Sequence, residues 1–362
     1  MSDWFSFLPI EVQFMLEKVP ADDTYSITKV NGNLYITGSL ALKEVLFDKQ
    51  SFFNRDTGLT RWNLLKERFN STELNLFKSL GRHSATTNSP NYLVEWPAEL
   101  SETALAVSLL RFFLSPFSEK LEDELLVRFH NAGIYFENTR SGKVVPALHL
   151  TFFHQQSREL LSRAIYDQLS PSNREHQDEK LLSAVIHSAY RSLLNLLGWS
   201  MFFLSEPMPF VDDLYAEKDA NKQSRDIRLF LYETMRLLPS AWVLHRKVEQ
   251  PVIINSLQLN KGEDVYIPIL SFHRSETFFG DSMRFEPFRF LKKDINPWVY
   301  LPFGRGEHSC PGANAGLTIA QLFVYHLVSK GIRLQRKQIQ FEPDSSIPIS
   351  LNPFFTCEFS SR

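Results

Sequence analysis

The residues best placed to do chemistry lie in one run near the C-terminal end, Phe303-Gly304-Arg305-Gly306-Glu307-His308-Ser309-Cys310-Pro311-Gly312. Its glycines let the main chain turn tightly enough for backbone N–H groups to face the sulfur of Cys310, the setting that a thiolate metal ligand needs. The other cysteine, Cys357, lies in an apolar tail strand and reads as core. Two cysteines in 362 residues form no disulfide framework, which fits a reducing cytoplasm. Upstream, Glu233 and Arg236 stand one helical turn apart, close enough for a carboxylate and a guanidinium to share a bidentate network. Such pairs are common on surface helices, but the segment around this one is otherwise apolar.

The loop matches the pattern F-x-x-G-x-H-x-C-x-G and closely resembles the cysteine-ligand loop of the cytochrome P450 family. The resemblance implies a mainly α (α+β) fold, a helical haem-enclosing domain with small β-sheets. It also implies haem b as cofactor, with Cys310 as the axial ligand of the iron and Phe303, Gly304 and Gly312 shaping the loop around it. No C-x-x-C-H attachment motif occurs, so haem would be held without thioether bonds. Its two carboxylates need cationic or hydrogen-bonding partners. The family positions for these fall on His308, on Arg246 in LHRKV and on Arg111 in SLLRFFL; where the family often has a further histidine, this chain has Ala106. The stretch Arg284-Phe285-Glu286-Pro287-Phe288-Arg289-Phe290 stands where the family carries a second arginine, so Glu233, Arg236 and Arg289 resemble its structural triad, bracing the fold beneath the cysteine loop.

Thiolate-ligated iron in this family activates dioxygen for attack on unactivated C–H bonds. The implied activity is that of a cytochrome P450 monooxygenase inserting oxygen into, or oxidatively coupling, a small apolar or aromatic substrate in specialised metabolism. No G-x-G-x-x-G fingerprint appears, so electrons are expected from an external ferredoxin or flavodoxin-type partner. One family feature is missing. Most members carry an acid–alcohol pair on the long distal helix, yet Leu181 to Ser205 contains no Asp or Glu, and no Thr occurs between Thr151 and Thr234. The best register puts Arg191 and Ser192 at those positions, with His187 one turn earlier on the same face. An arginine there resembles the peroxide-using branch, although the Arg-Pro dipeptide of that branch is absent; Arg191 turned away into an internal salt bridge is the alternative. A peroxygenase driven by hydrogen peroxide, a non-oxygenating haem-thiolate enzyme, and a degenerate haem-binding member without turnover are the competing readings. The interval between Arg111 and the central helix is short for a substrate lid. Phe52, Phe53, His187, Arg191, Phe354 and Phe355 are the candidate substrate contacts.

Positioning these groups falls to a series of elements. TYSITKV and NLYITG flank Asn31-Gly32, a hairpin turn signal. Helices are expected at SLALKEVLFDKQ, RWNLLKERFNSTELNLFKSLG, SETALAVSLLRFFL and SEKLEDELLVRFHNAG, the last punctuated by Ser118 and Gly133. HLTFFHQQSRELLSRAIYDQL adds another. DEKLLSAVIHSAYRSLLNLLGWSMFFL is apolar nearly all round and predicts a buried central helix. SRDIRLFLYETMRLLP ends before Pro239, PVIINSLQL and EDVYIPIL read as strands, a helix follows Cys310, and IRLQRKQIQF and IPISLNPFFTCEF form a β-rich tail. No repeat or linker interrupts residues 1–362, which predicts a single domain. With 43% hydrophobic and 22% charged residues the composition is that of a globular enzyme. The 39 basic and 41 acidic residues leave a charge of -2, no excess to hold nucleic acid or a charged membrane face. No run approaches the ~20 apolar residues of a membrane span, and the N-terminal segment lacks a signal-peptide pattern. The expected location is cytoplasmic.

Overall fold

A computed structural model of the chain describes residues 17–30, 32–47, 53–54, 102–114, 122–140, 167, 179–292, 295–306, 309–310, 312–336 and 355–359. The chain divides into two compact units, one of residues 1–66 with 228–313 and the other of residues 67–227 with 314–362.

The first unit is built on a five-stranded sheet of order β1-β2-β7-β4-β3. Strands β1 (Ile27–Val30) and β2 (Asn33–Ile36) pair as the expected antiparallel hairpin. Helix α1 (Ser39–Phe47) follows. β3 (Phe53–Asn54) and β4 (Leu244–Val248) pair antiparallel, and β4 pairs antiparallel with β7 (Asp264–Ile267). β2 runs parallel to β7. Leu42, Val45, Val265, Ile267 and Phe272 belong to the core that the sheet and α1 enclose. β5 (Val252–Ile254) and β6 (Leu257–Leu259) form a separate hairpin.

Two elements here differ from the sequence expectation. LHRKV is a strand, although its three polar residues give little apolar alternation; its partner β7 supplies the burial. EDVYIPIL is not strand throughout, because Pro268 ends β7 and the short helix α7 (Ile269–His273) begins at once. The Pro268 carbonyl accepts the N–H groups of Ser271 at 3.0 Å and Phe272 at 3.3 Å, closing its first turn.

The second unit is helical. α2 (Glu102–Leu114) packs on α3 (Asp123–Arg140) and on α4 (Glu179–Leu204). α3 runs through Gly133 to Arg140, so that glycine does not stop it. The second half of α4 is buried nearly all round, with Tyr190, Leu193, Leu194, Leu197, Trp199 and Phe202 enclosed, as its uniform apolarity predicts. α5 (Pro209–Ala216) carries Tyr215, whose hydroxyl donates to the Ile332 carbonyl at 2.6 Å. Ile332 opens β8 (Ile332–Arg336), which pairs antiparallel with β9 (Phe355–Phe359), the expected tail sheet.

Two helices cross the division of the chain. α6 (Ala220–Leu237) starts four residues before the expected Ser224, because the Asp219 carboxylate accepts the N–H groups of Asn221 at 2.8 Å and Lys222 at 3.1 Å and caps the helix there. α8 (Ala313–Ser329) is the helix expected after Cys310. Among the described residues no helix is long and apolar enough to cross a membrane.

Candidate functional site: the cysteine loop and its buried support

Cys310 is exposed, and a short ladder of main-chain hydrogen bonds shapes the loop that carries it. Gly304 donates its N–H to the Leu301 carbonyl at 3.0 Å, Ser309 to Gly306 at 3.1 Å, and Cys310 to Phe303 at 2.7 Å. Gly304 and Gly306 have φ of 65° and 77°. At Gly306 the need for glycine is also steric: a Cβ there would lie 2.5 Å from the Leu46 carbonyl oxygen in the last turn of α1. At Gly312 a Cβ would sit 4.0 Å from the Cys310 sulfur, ordinary contact distance. Between the two turning glycines, Arg305 lays its guanidinium 4.3 Å from the Trp298 ring centre and donates to the Pro297 carbonyl at 2.6 Å. Lys43 approaches the same ring at 5.6 Å.

Behind the loop, α6 brings Glu233 and Arg236 together in complete burial, both 0% exposed. Arg236 grips the carboxylate with two bonds of 2.8 Å, from Nε and Nη2. Its remaining N–H groups donate to the carbonyls of His273 at 2.7 Å, Ser282 at 2.6 Å and Arg284 at 3.1 Å. Arg289, in a 3-10 turn over Pro287–Leu291, donates to Glu233 at 3.1 Å and to the carbonyls of Gly280, Asp281 and Arg284. Glu286 adds its N–H at 2.8 Å. One buried carboxylate thus holds two guanidinium groups, and these in turn tie down the main chain from 273 to 284. That satisfaction is what lets three ionised groups stay out of water.

The other expected site residues are spread more widely. Arg246 lies in β4, 4% exposed, and donates through Nη1 to the His245 carbonyl at 2.8 Å. Arg111, in the last turn of α2, pairs with Asp123 at the start of α3, and its side chain is 43% exposed. Ala106 is fully buried in α2. On α4, Arg191 is partly exposed and Ser192 exposed. His187 lies in α4, Phe53 in β3 and Phe355 in β9, their side chains outside what is described. Phe52, His308 and Phe354 lie outside the described residues altogether, as does Asn31.

One buried group was not singled out from the sequence. His273 ends α7, is 0% exposed, and lies between α6 and the loop. The only hint in the chain is a titratable residue closing the apolar run IPILSF.

The model of the family described as Cytochrome P450 matches residues 227–348, from within α6 through the cysteine loop to beyond β8. Cytochrome P450 3A19 of Capra hircus aegagrus is 32% identical over 125 residues, covering 34% of this chain and 57% of that protein. Cytochrome P450 3A12 of Canis lupus familiaris is 31% identical over 139 residues, 37% of this chain and 26% of that one. Cytochrome P450 3A29 of Sus scrofa is 28% identical over 269 residues, 68% and 51% respectively. The chain therefore spans only about a quarter to little more than half the length of these relatives. In fold it is similar to a cyanobacterial protein solved with retinoic acid bound, CYP120A1, with a TM-score of 0.63 over 88% of each chain at 16% identity. The mainly helical fold with small sheets is thus the one expected. The matched stretch runs unbroken from the helix bearing Glu233 and Arg236 to the loop bearing Cys310, and over residues 227–348 this chain is similar to the cytochrome P450 family.

Proposed function

We propose that the chain is a haem-thiolate monooxygenase of the cytoplasm, in which Cys310 ligates the iron of haem b and a small apolar or aromatic substrate of specialised metabolism is oxidised. The observation that carries this reading is the presentation of Cys310: exposed, on a loop with its own amide tied at 2.7 Å to Phe303. A single soft donor held this way would suit a haem iron. When bound, haem supplies dioxygen activation that an electron-rich thiolate favours.

The chain's own residues hold and enclose. The loop fixes the sulfur, and the Glu233–Arg236–Arg289 network braces the main chain behind it. Arg246, His308 and Arg111 would be the partners of the haem carboxylates. Phe52, Phe53, Phe354 and Phe355 would be the candidate substrate contacts. Electrons come from a ferredoxin or flavodoxin-type protein.

A second reading, use of hydrogen peroxide, is favoured by one specific feature: α4 offers Arg191 and Ser192, and no acid–alcohol pair, to manage protons. In that case the Arg191 guanidinium orients a substrate carboxylate.

The test is a carbon monoxide difference spectrum of the reduced, haem-loaded protein. The native chain is expected to give the thiolate-type Soret band and Cys310→Ser to lose it; a native protein lacking the band sinks the proposal. Turnover of the same preparation with peroxide, but not with dioxygen and a reductase, moves the second reading ahead.

A further inference from the structure

We propose that His273 is a positioning residue that fixes the cysteine loop to the end of α6, an inference that rests, for its consequence at iron, on Cys310 being the haem ligand. The argument begins with what each ring nitrogen meets. Nε2 lies 2.8 Å from the main-chain nitrogen of Leu301, a group that can only donate, so Nε2 must accept. Nδ1 lies 3.2 Å from the Arg236 carbonyl, which can only accept, so Nδ1 must carry the hydrogen. The ring is therefore one neutral tautomer with both ends committed. Burial, reinforced by the Arg236 guanidinium, pushes its pKa down to about 3, so the tautomer persists through ordinary pH.

Both partners sit where an anchor is needed. α6 ends at Leu237, so the carbonyls of Arg236 and Leu237 have no next turn to bond. His273 fills the first, and Arg274 donates through Nε at 3.0 Å to the second, so consecutive residues cap the helix. Leu301 opens the loop: its carbonyl takes the Gly304 N–H, and two residues on, Phe303 takes the Cys310 N–H. Tyr300 stacks against the imidazole at 5.3 Å and donates its hydroxyl to the Tyr232 carbonyl at 2.9 Å. Residues 300 and 301 are thus tethered one helical turn apart on α6, at Tyr232 directly and at Arg236 through His273. One hydrogen-bonded path from α6 to the cysteine loop passes through this ring.

The two roles of the ring can be separated by substitution in the haem-loaded protein. His273→Gln offers an oxygen near Nε2 and keeps the acceptor for Leu301. His273→Asn places its amide near Nδ1 and keeps only the cap on Arg236, while His273→Leu keeps neither. Two readouts are followed: the thiolate-type against the thiol-type band in the reduced carbon monoxide spectrum, and hydrogen exchange of the Leu301 amide. His273→Gln is expected to keep the thiolate-type band and slow exchange. Asn and Leu are expected to shift the spectrum to the thiol type and to speed Leu301 exchange about tenfold or more, the loss of one buried hydrogen bond. Equal spectra and equal Leu301 exchange in all three variants overturn the proposal, as does equal loss in all three, which marks His273 as core alone. A native protein without the thiolate-type band overturns the haem reading instead; slow Leu301 exchange in native and Gln protein but not in Asn then still upholds the anchor.

Discussion

Glu233 is the residue on which the buried ionic chemistry converges. With Arg236 and Arg289 both bonded to it, removing its charge leaves two guanidinium groups facing each other in the interior. Breaking a buried pair from one side costs about 3–5 kcal/mol, because the desolvated partner remains. Glu233→Gln is expected to lose that much in denaturant unfolding, whereas Arg111→Ala, at the exposed pair with Asp123, should lose under about 1 kcal/mol. A Glu233→Gln protein within 1 kcal/mol of the native one would show that the network does not carry the fold. The i,i+3 spacing of Glu233 and Arg236 was visible in the sequence, and Arg289 came from the family resemblance. What neither could give was the carbonyls of His273, Gly280, Ser282 and Arg284, which accept most of the remaining N–H groups. A main-chain acceptor has no side-chain signature.

Gly306 meets the last turn of α1 at backbone distance. The obstacle to a side chain there is the Leu46 carbonyl, which belongs to a helix and cannot rotate away. Gly262 makes a useful control, with φ of 91° but open space around it. Both Gly→Ala changes incur the left-handed backbone penalty of about 1–2 kcal/mol. Only Gly306→Ala adds an overlap, typically worth about 1–3 kcal/mol more. Unfolding measurements should therefore rank Gly306→Ala clearly below Gly262→Ala, with the thiolate-type band lost only in the former; equal effects would place the strain in the backbone and leave α1 out of it. Legibility follows the same division between local and distant causes. The β1–β2 hairpin and α4 were read correctly, since turn chemistry and apolar periodicity act within one segment. β4 and the start of α6 were missed or shifted, because pairing with β7 and a cap from Asp219 decide them.

At the scale of the whole molecule, acid sensitivity is the property this architecture should display, and its sign follows from His273. In the folded chain the ring stays neutral until about pH 3, while an unfolded chain takes up a proton near 6.5. Between those values the unfolded state binds more protons, so stability is intact above about pH 6.5 and falls as pH drops, by up to about 1.4 kcal/mol per unit. Other groups shift too: burial lowers His326, and hydrogen bonds from Ser282 lower Glu276. The carboxylate acts only below its ordinary value of 4.5, so of these three groups only His273 and His326 act between 6.5 and 4.5. With a formal charge of only -2, general charge repulsion contributes little near neutrality. None of this could be read from the sequence, since Arg236, His273 and Leu301 lie 37 and 28 residues apart and only the fold brings them to one ring. Comparing native and His273→Gln protein by denaturant unfolding at pH 7.5 and pH 5 isolates the ring, because every other group titrates alike in both. The native chain should lose about 2 kcal/mol more than the variant over that interval; equal losses would assign the acid sensitivity to other groups and leave His273 without a proton-linked role.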